Sequence, residues 1–322
     1  MFWRELRLAV TLLTVIPVPD RGGRRVAGAA DGAVVPVETG ERVGAVVADE
    51  AGEATRPGEA VRTAGTAGAT KVAGAVGTAR MAGADEVARA DEAVLADELR
   101  RAAGGAMEWA PVIGLVLGLA GAGVLWLAGT EGRLGPLLSA VLAIGTLAVL
   151  SGGLHLDGLA DLADGLGSRR PVAEALAIMK KSDIGPFGVV ALVLVLLVQV
   201  AALARAETMG RGVIALVAAG VTSRLAMTAA CRRGVPGARG SGLGALVAGS
   251  VPGPVAAGLV VVDLGAAAAF GWVFAVGVAA GLAVSAGVTA VAVRRLGGIT
   301  GDVLGAIAET TIAACLLFSL IR

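Results

Sequence analysis

The chain has 322 residues, 56% of them apolar and 16% charged, with a net charge of +1 and a single histidine. A soluble domain of this size carries roughly 25% charged residues, so the composition excludes an ordinary soluble globule, and the balanced charge gives no footing for nucleic acid. One histidine, no tyrosine and two separated cysteines, Cys231 and Cys315, leave almost no material for a His-based triad or a zinc cluster; the cysteines read as buried thiols.

The opening FWRELRLAVTLLTVIPVP holds an apolar run from Leu8 to Val18, shorter than the ~20 residues that cross a bilayer. Glu5 and the stop at Pro17 and Pro19 predict an N-terminal interfacial helix over 1–20 rather than a cleaved leader. Residues 21–105 are Ala, Gly, Val, Thr and charges, with 11 basic and 13 acidic residues and no aromatic one. Such a segment buries too little apolar surface to offset its ordering entropy. It reads as a low-complexity, largely disordered insertion that ends in a solvated helix.

From Glu108 the pattern changes to long apolar runs broken by short charged loops. Spans are predicted near 109–129, 134–154, 185–204, 212–231, 243–262, 266–293 and 303–321. The fold class is therefore all-α: a polytopic helical membrane protein with about seven transmembrane helices, its catalytic domain over 106–322. Seven spans put loops 155–184, 232–242 and 294–302 on one side. That side holds Arg169, Arg170, Lys180, Lys181, Arg232, Arg233, Arg239, Arg294 and Arg295. The other holds only Arg133, Arg205, Arg211 and Arg322, so the first side is predicted to face the cytoplasm of a cell membrane.

The same three loops hold most of the unusual polar residues. Asp157, Asp161 and Asp164 follow one another at i, i+4 and i+7, which places them within about 60° on a helix. Three carboxylates on one stripe repel unless a cation lies between them, and hard oxygen ligands suit Mg²⁺. His155 precedes the stripe; a base, a phosphate donor and a helix-entry residue are all open readings. In IMKKSDIGPFG, Lys180 and Ser182 sit before a helix start that either favours phosphate or is an ordinary positive flank. Arg224 lies about seven residues inside a span, as a site residue or a snorkelling side chain. Arg239 sits in a glycine-bearing loop. Asp302 and Glu309 share one face of the last helix, with Glu309 ~10 Å deeper and in want of a cation, Mg²⁺ or Arg224. Carboxylates for metal and cations for phosphate at one membrane face fit metal-assisted phosphoryl transfer. The rival is a cation-coupled transporter, which would place its acids near the midplane in two matching halves; none is visible here.

These segments together resemble the cobalamin synthase family, the adenosylcobinamide-GDP ribazoletransferases. The resemblance rests on GGLHLDGLADLADGLGS at 152–168, IMKKSDIGPFGVVALVL at 178–194, SRLAM at 223–227, ARGSGLGA at 238–245 and RRLGGITGDVLGAIAET at 294–310. It implies a transferase of phosphorus-containing groups in cobalamin biosynthesis. Such an enzyme joins adenosylcobinamide-GDP to α-ribazole or its 5′-phosphate and releases GMP, with Mg²⁺ as the metal and other cobalamin-assembly enzymes as expected neighbours. Carried over residue by residue, Asp157, Asp161 and Asp164 take the metal and catalytic role, with His155 beside them. Lys180, Ser182, Arg224, Arg239, Asp302 and Glu309 take substrate contacts. Two departures stand out: the insertion at 21–105, and Lys181-Ser182-Asp183, where the family commonly has an acid-Ser-base order.

Overall fold

The computed structural model describes residues 94–95, 97–131 and 133–321. The expected interfacial helix at 1–20 and nearly all of the segment 21–105 lie outside them. From Asp97 onward the described residues belong to one compact unit; Val94 and Leu95 belong to a second, Pro19–Leu95. Helical backbone runs from Asp97 into α1 (Ala110–Trp126), which closes in a π-helical turn, Leu127–Glu131. Ala103 and Ala106 of this lead-in are buried, so the ordered bundle begins before residue 106.

Then follow α2 (Gly135–Leu150), α3 (Leu154–Gly167), α4 (Val172–Ile178), α5 (Pro186–Thr208) and α6 (Gly212–Ala230). The chain ends with α7 (Leu243–Val247), α8 (Gly253–Phe270), α9 (Trp272–Leu296) and α10 (Gly301–Phe318). Among the described residues there is no strand, only two isolated bridges, Arg232 with Val251 and Gly237 with Ile299. Among the described residues six helices are long and apolar enough to cross a membrane, and seven if α2 and α3 form one broken span.

That break is the first departure from the expected spans. Gly152 and Gly153 both take left-handed backbone, φ 62° and 71°, and the chain turns by 88°. Side chains with a Cβ resist that conformation. α2 thus ends early, and α3 lies across the end of the bundle. The second departure is at 243–262, which is not one helix. Val247 ends α7, Gly249 turns at φ 68°, and Val251 pairs back through Val251 N–H to Cys231 O (3.2 Å) and Arg233 N–H to Val251 O (2.8 Å). Pro252 then caps α8, which crosses in place of the predicted segment. Gly271, at φ 144°, divides α8 from α9, so the sixth span starts at Trp272 rather than 266.

α6 and α10 form the centre: 67% and 72% of their apolar windows are buried, against 17–44% for the other spans. Glycine lets α1 reach α6, because a Cβ on Gly114 would lie 2.4 Å from Gly220 O. The outer helices turn Leu197, Val261, Val262 and Phe270 outward. Exposed apolar residues in rows of this kind suit lipid rather than water. The connections 151–185, 231–252 and 297–300 meet at one end, where Ala238 N–H donates to Ile299 O and Ile299 N–H to Pro236 O, both at 2.9 Å.

Candidate active site

α3 starts where its sequence tells it to. Gly153 supplies the left-handed N-cap, its carbonyl accepts from Asp157 N–H at 2.9 Å, and Asp157 places negative charge in the first turn. Leu159, Ala160 and Leu162 are buried. The contact with α10 is made by glycine from both sides. A Cβ on Gly158 would lie 2.8 Å from Asp302 O, and one on Gly305 would lie 3.0 Å from the His155 backbone. No larger residue permits this crossing, and it sets the aspartates of α3 beside Asp302.

The stripe descends along α3. Asp157 is exposed, Asp161 is half-buried and Asp164 is buried. Burial first, then the carboxylates of Asp157, Asp302 and Asp164, push Asp161 up to about 6, with Arg239 opposing them. Four acids therefore share one region with one arginine. Arg239 ties three elements together: its Nη1 lies 3.4 Å from Asp302 Oδ2, and its Nη2 donates to Leu176 O of α4 at 3.0 Å. Its Nε is buried and has no partner among the described residues. Thr300 caps α10 by accepting from Val303 N–H at 3.2 Å and donates to Asp302 Oδ2 at 3.2 Å.

Asp164 has a different task. Its Oδ2 accepts from Gly185 N–H at 2.7 Å and its Oδ1 from Gly188 N–H at 2.9 Å. It is the N-terminal cap of α5, supplied from another helix. Pro186 has no N–H, so Asp164 already holds two of the amides at the helix start that the sequence left open between a phosphate site and an ordinary positive flank. The three aspartates thus share a stripe but not a role. Among the described residues, no three His, Cys, Asp or Glu side chains converge as a preformed metal cluster.

His155, Arg224 and Glu309 also sit apart from the acids' open face. His155 is buried, and its Nδ1 lies 3.3 Å from Arg224 Nη2. Burial, then the Arg224 charge, hold the imidazole well below its usual value, hence neutral. Arg224 is 2% exposed and donates to Ser223 Oγ at 2.9 Å. Glu309 lies in its field and accepts from Gln199 Nε2 at 2.9 Å. Arg224 and Glu309, expected to contact substrate, are both buried among α3, α5, α6 and α10. The deep carboxylate pairs with the Gln199 amide, and the arginine is buried rather than snorkelling. Sequence reasoning missed Gln199, although a lone amide inside the apolar run VLVLLVQVAAL was a signal.

Lys180 and Ser182 are exposed on the connection between α4 and α5. Beside them a cavity of about 240 Å³ opens between α3 and the start of α5. Asp161, Ser168, Lys181, Asp183 and Phe187 contribute to its lining.

A family model described as Cobalamin-5-phosphate synthase matches residues 90–320. Among curated relatives, an adenosylcobinamide-GDP ribazoletransferase of Frankia casuarinae is 45% identical over 239 residues, covering 68% of this chain and 85% of the relative. One of Nocardioides sp. is 43% identical over 68% of this chain and 87% of its own length. One of Bradyrhizobium diazoefficiens is 41% identical over 65% and 82%. No solved structure matches the chain. With the model spanning well over half of the residues and these identities holding across most of each relative, the chain belongs to the cobalamin-5-phosphate synthase family.

Proposed function

We propose that the chain joins adenosylcobinamide-GDP to α-ribazole, or to α-ribazole 5′-phosphate, and releases GMP. The relatives' names supply the substrates. The observation that carries the chemistry is the glycine crossing of α3 and α10, which sets Asp157, Asp161 and Asp302 around Arg239 at the end of the bundle. In this reaction the ribazole 3′-hydroxyl attacks the phosphorus nearest the cobinamide, and the bond from that phosphorus to the GMP oxygen breaks. An aspartate of the exposed part of the stripe takes the hydroxyl proton, since His155 is buried on the inner face of α3 against Arg224. Arg239 faces the diphosphate and supports the charge that leaves with GMP.

The donor set fits Mg²⁺ in a limited way. Mg²⁺ takes one or two carboxylates and completes its shell with water and substrate phosphate. Asp157 and Asp161 suffice for that, with Asp302 opposite, whereas Asp164 is committed to α5. When bound, Mg²⁺ neutralises the diphosphate and polarises the phosphoryl oxygens.

The same reading places the protein in the cell membrane with the α3 end towards the cytoplasm, because that end carries nine of the thirteen loop and terminal basic residues counted above. Substrates and product would pass there to and from other cobalamin-assembly enzymes. Membranes carrying the full chain should release GMP from adenosylcobinamide-GDP only when α-ribazole or its phosphate is added. GMP release that ignores the acceptor, or none with either acceptor, would contradict the assignment.

A further inference from the structure

The cavity between α3 and the start of α5 shares Asp161 with the aspartate stripe, and the chemistry just described leaves the rest of its lining unused. Its lining combines an aromatic wall with one acid and one base. Phe187 packs its ring against Gly167, where a Cβ would fall 2.5, 2.7 and 2.9 Å from three ring atoms, and the residue stays 54% exposed, which leaves aromatic surface available for stacking. Lys181 and Asp183 flank Ser182 and both line the cavity. Neither forms an ion pair with a described residue, and neither has a side-chain hydrogen bond there, unlike Asp164 and Asp302 nearby.

We propose that this cavity is a guanine subsite, in which Asp183 and Lys181 read the base of the guanosine nucleotide and Phe187 stacks on it. This rests on the function proposed above, which puts a guanosine diphosphate ester at the aspartate stripe. The chemistry of the two bases in the reaction decides between them. Guanine presents N1–H and N2–H donors on one edge, which a carboxylate accepts as a pair, and O6 and N7 acceptors that suit a lysine. The dimethylbenzimidazole of ribazole has a lone ring-nitrogen acceptor and no N–H donor, so it would leave Asp183 unsatisfied. With phosphates at Asp157 and Asp161, the base is within reach of the cavity, which Asp161 also lines.

The test is equilibrium binding of GMP, IMP and AMP to the purified full chain in detergent, for the native protein, Asp183→Asn and Lys181→Met. Binding is read apart from turnover, so a failure of the transferase reading shows separately in the GMP-release assay. GMP should bind about tenfold more tightly than IMP, which lacks the N2 donors, and more tightly still than AMP. Asp183→Asn should weaken GMP about tenfold or more and flatten the GMP-to-AMP preference. Lys181→Met should weaken GMP and IMP alike. Both side chains are exposed, so neither change should alter the melting temperature. Absence of GMP binding, or a GMP, IMP and AMP ranking that Asp183→Asn leaves intact, would overturn the subsite. So would an effect of Asp183→Asn on ribazole binding in place of GMP binding.

Discussion

Asp161→Asn should lower GMP release at least about a hundredfold, the scale on which a single charge-stabilising group acts in transfer chemistry. The reason is local. Asp161 is the half-buried member of the stripe, pressed by Asp157, Asp302 and Asp164 and opposed by Arg239 alone. Removing its charge relieves that repulsion, so the fold should not suffer, and its side chain forms no hydrogen bond in the structure that the change would break. The expected signature is a variant that inserts and melts like the native protein but needs far more Mg²⁺. Asp164→Asn should behave differently, because its two oxygens hold the start of α5. Losing an acceptor for the Gly185 or Gly188 amide lowers stability together with activity. Full activity of Asp161→Asn at unchanged Mg²⁺ would remove the acid from the site.

Arg224→Leu should destabilise the protein by about 1–3 kcal/mol, because it removes a buried guanidinium that donates to Ser223 Oγ and in whose field the buried Glu309 lies. In detergent that is a fall of several degrees in melting temperature. The double variant Arg224→Leu/Glu309→Leu should cost less than the sum of the two single changes, since both charges then leave together. Where Arg224→Leu protein can be recovered, its KM for adenosylcobinamide-GDP should stay close to native, with the loss appearing in folded yield. A raised KM in a variant of native stability would return Arg224 to the substrate. Gln199 belongs to the same network through Glu309 and shares the prediction in milder form.

The contrast between these two sets of residues shows what was legible in the sequence. Period and hydropathy were enough to place most spans, because a long apolar run has no alternative to a helix in lipid. They failed at 243–262, where the run is apolar throughout but Gly249 and Pro252 break it. The stripe of Asp157, Asp161 and Asp164 was legible as one helical face. Its division of labour was not, because the amides that claim Asp164 come from a segment 21 to 24 residues away. Arg224 and Glu309 were recognisable as charges set deep in spans, but whether they face substrate or interior depends on how α3 covers them. Gly158 and Gly305 decide that, and glycines are everywhere in this chain. The exchanged order at Lys181-Ser182-Asp183 becomes understandable in three dimensions: both side chains line one cavity, so exchange keeps an acid and a base there.

The most direct measurement is product formation in membranes stripped of divalent metal. With adenosylcobinamide-GDP and α-ribazole supplied, corrinoid product and GMP should appear one for one as Mg²⁺ is restored, and neither before. Product formed at full rate after chelation, or GMP without corrinoid product, would contradict the account of Asp157 and Asp161 as the metal-bearing centre of a transferase.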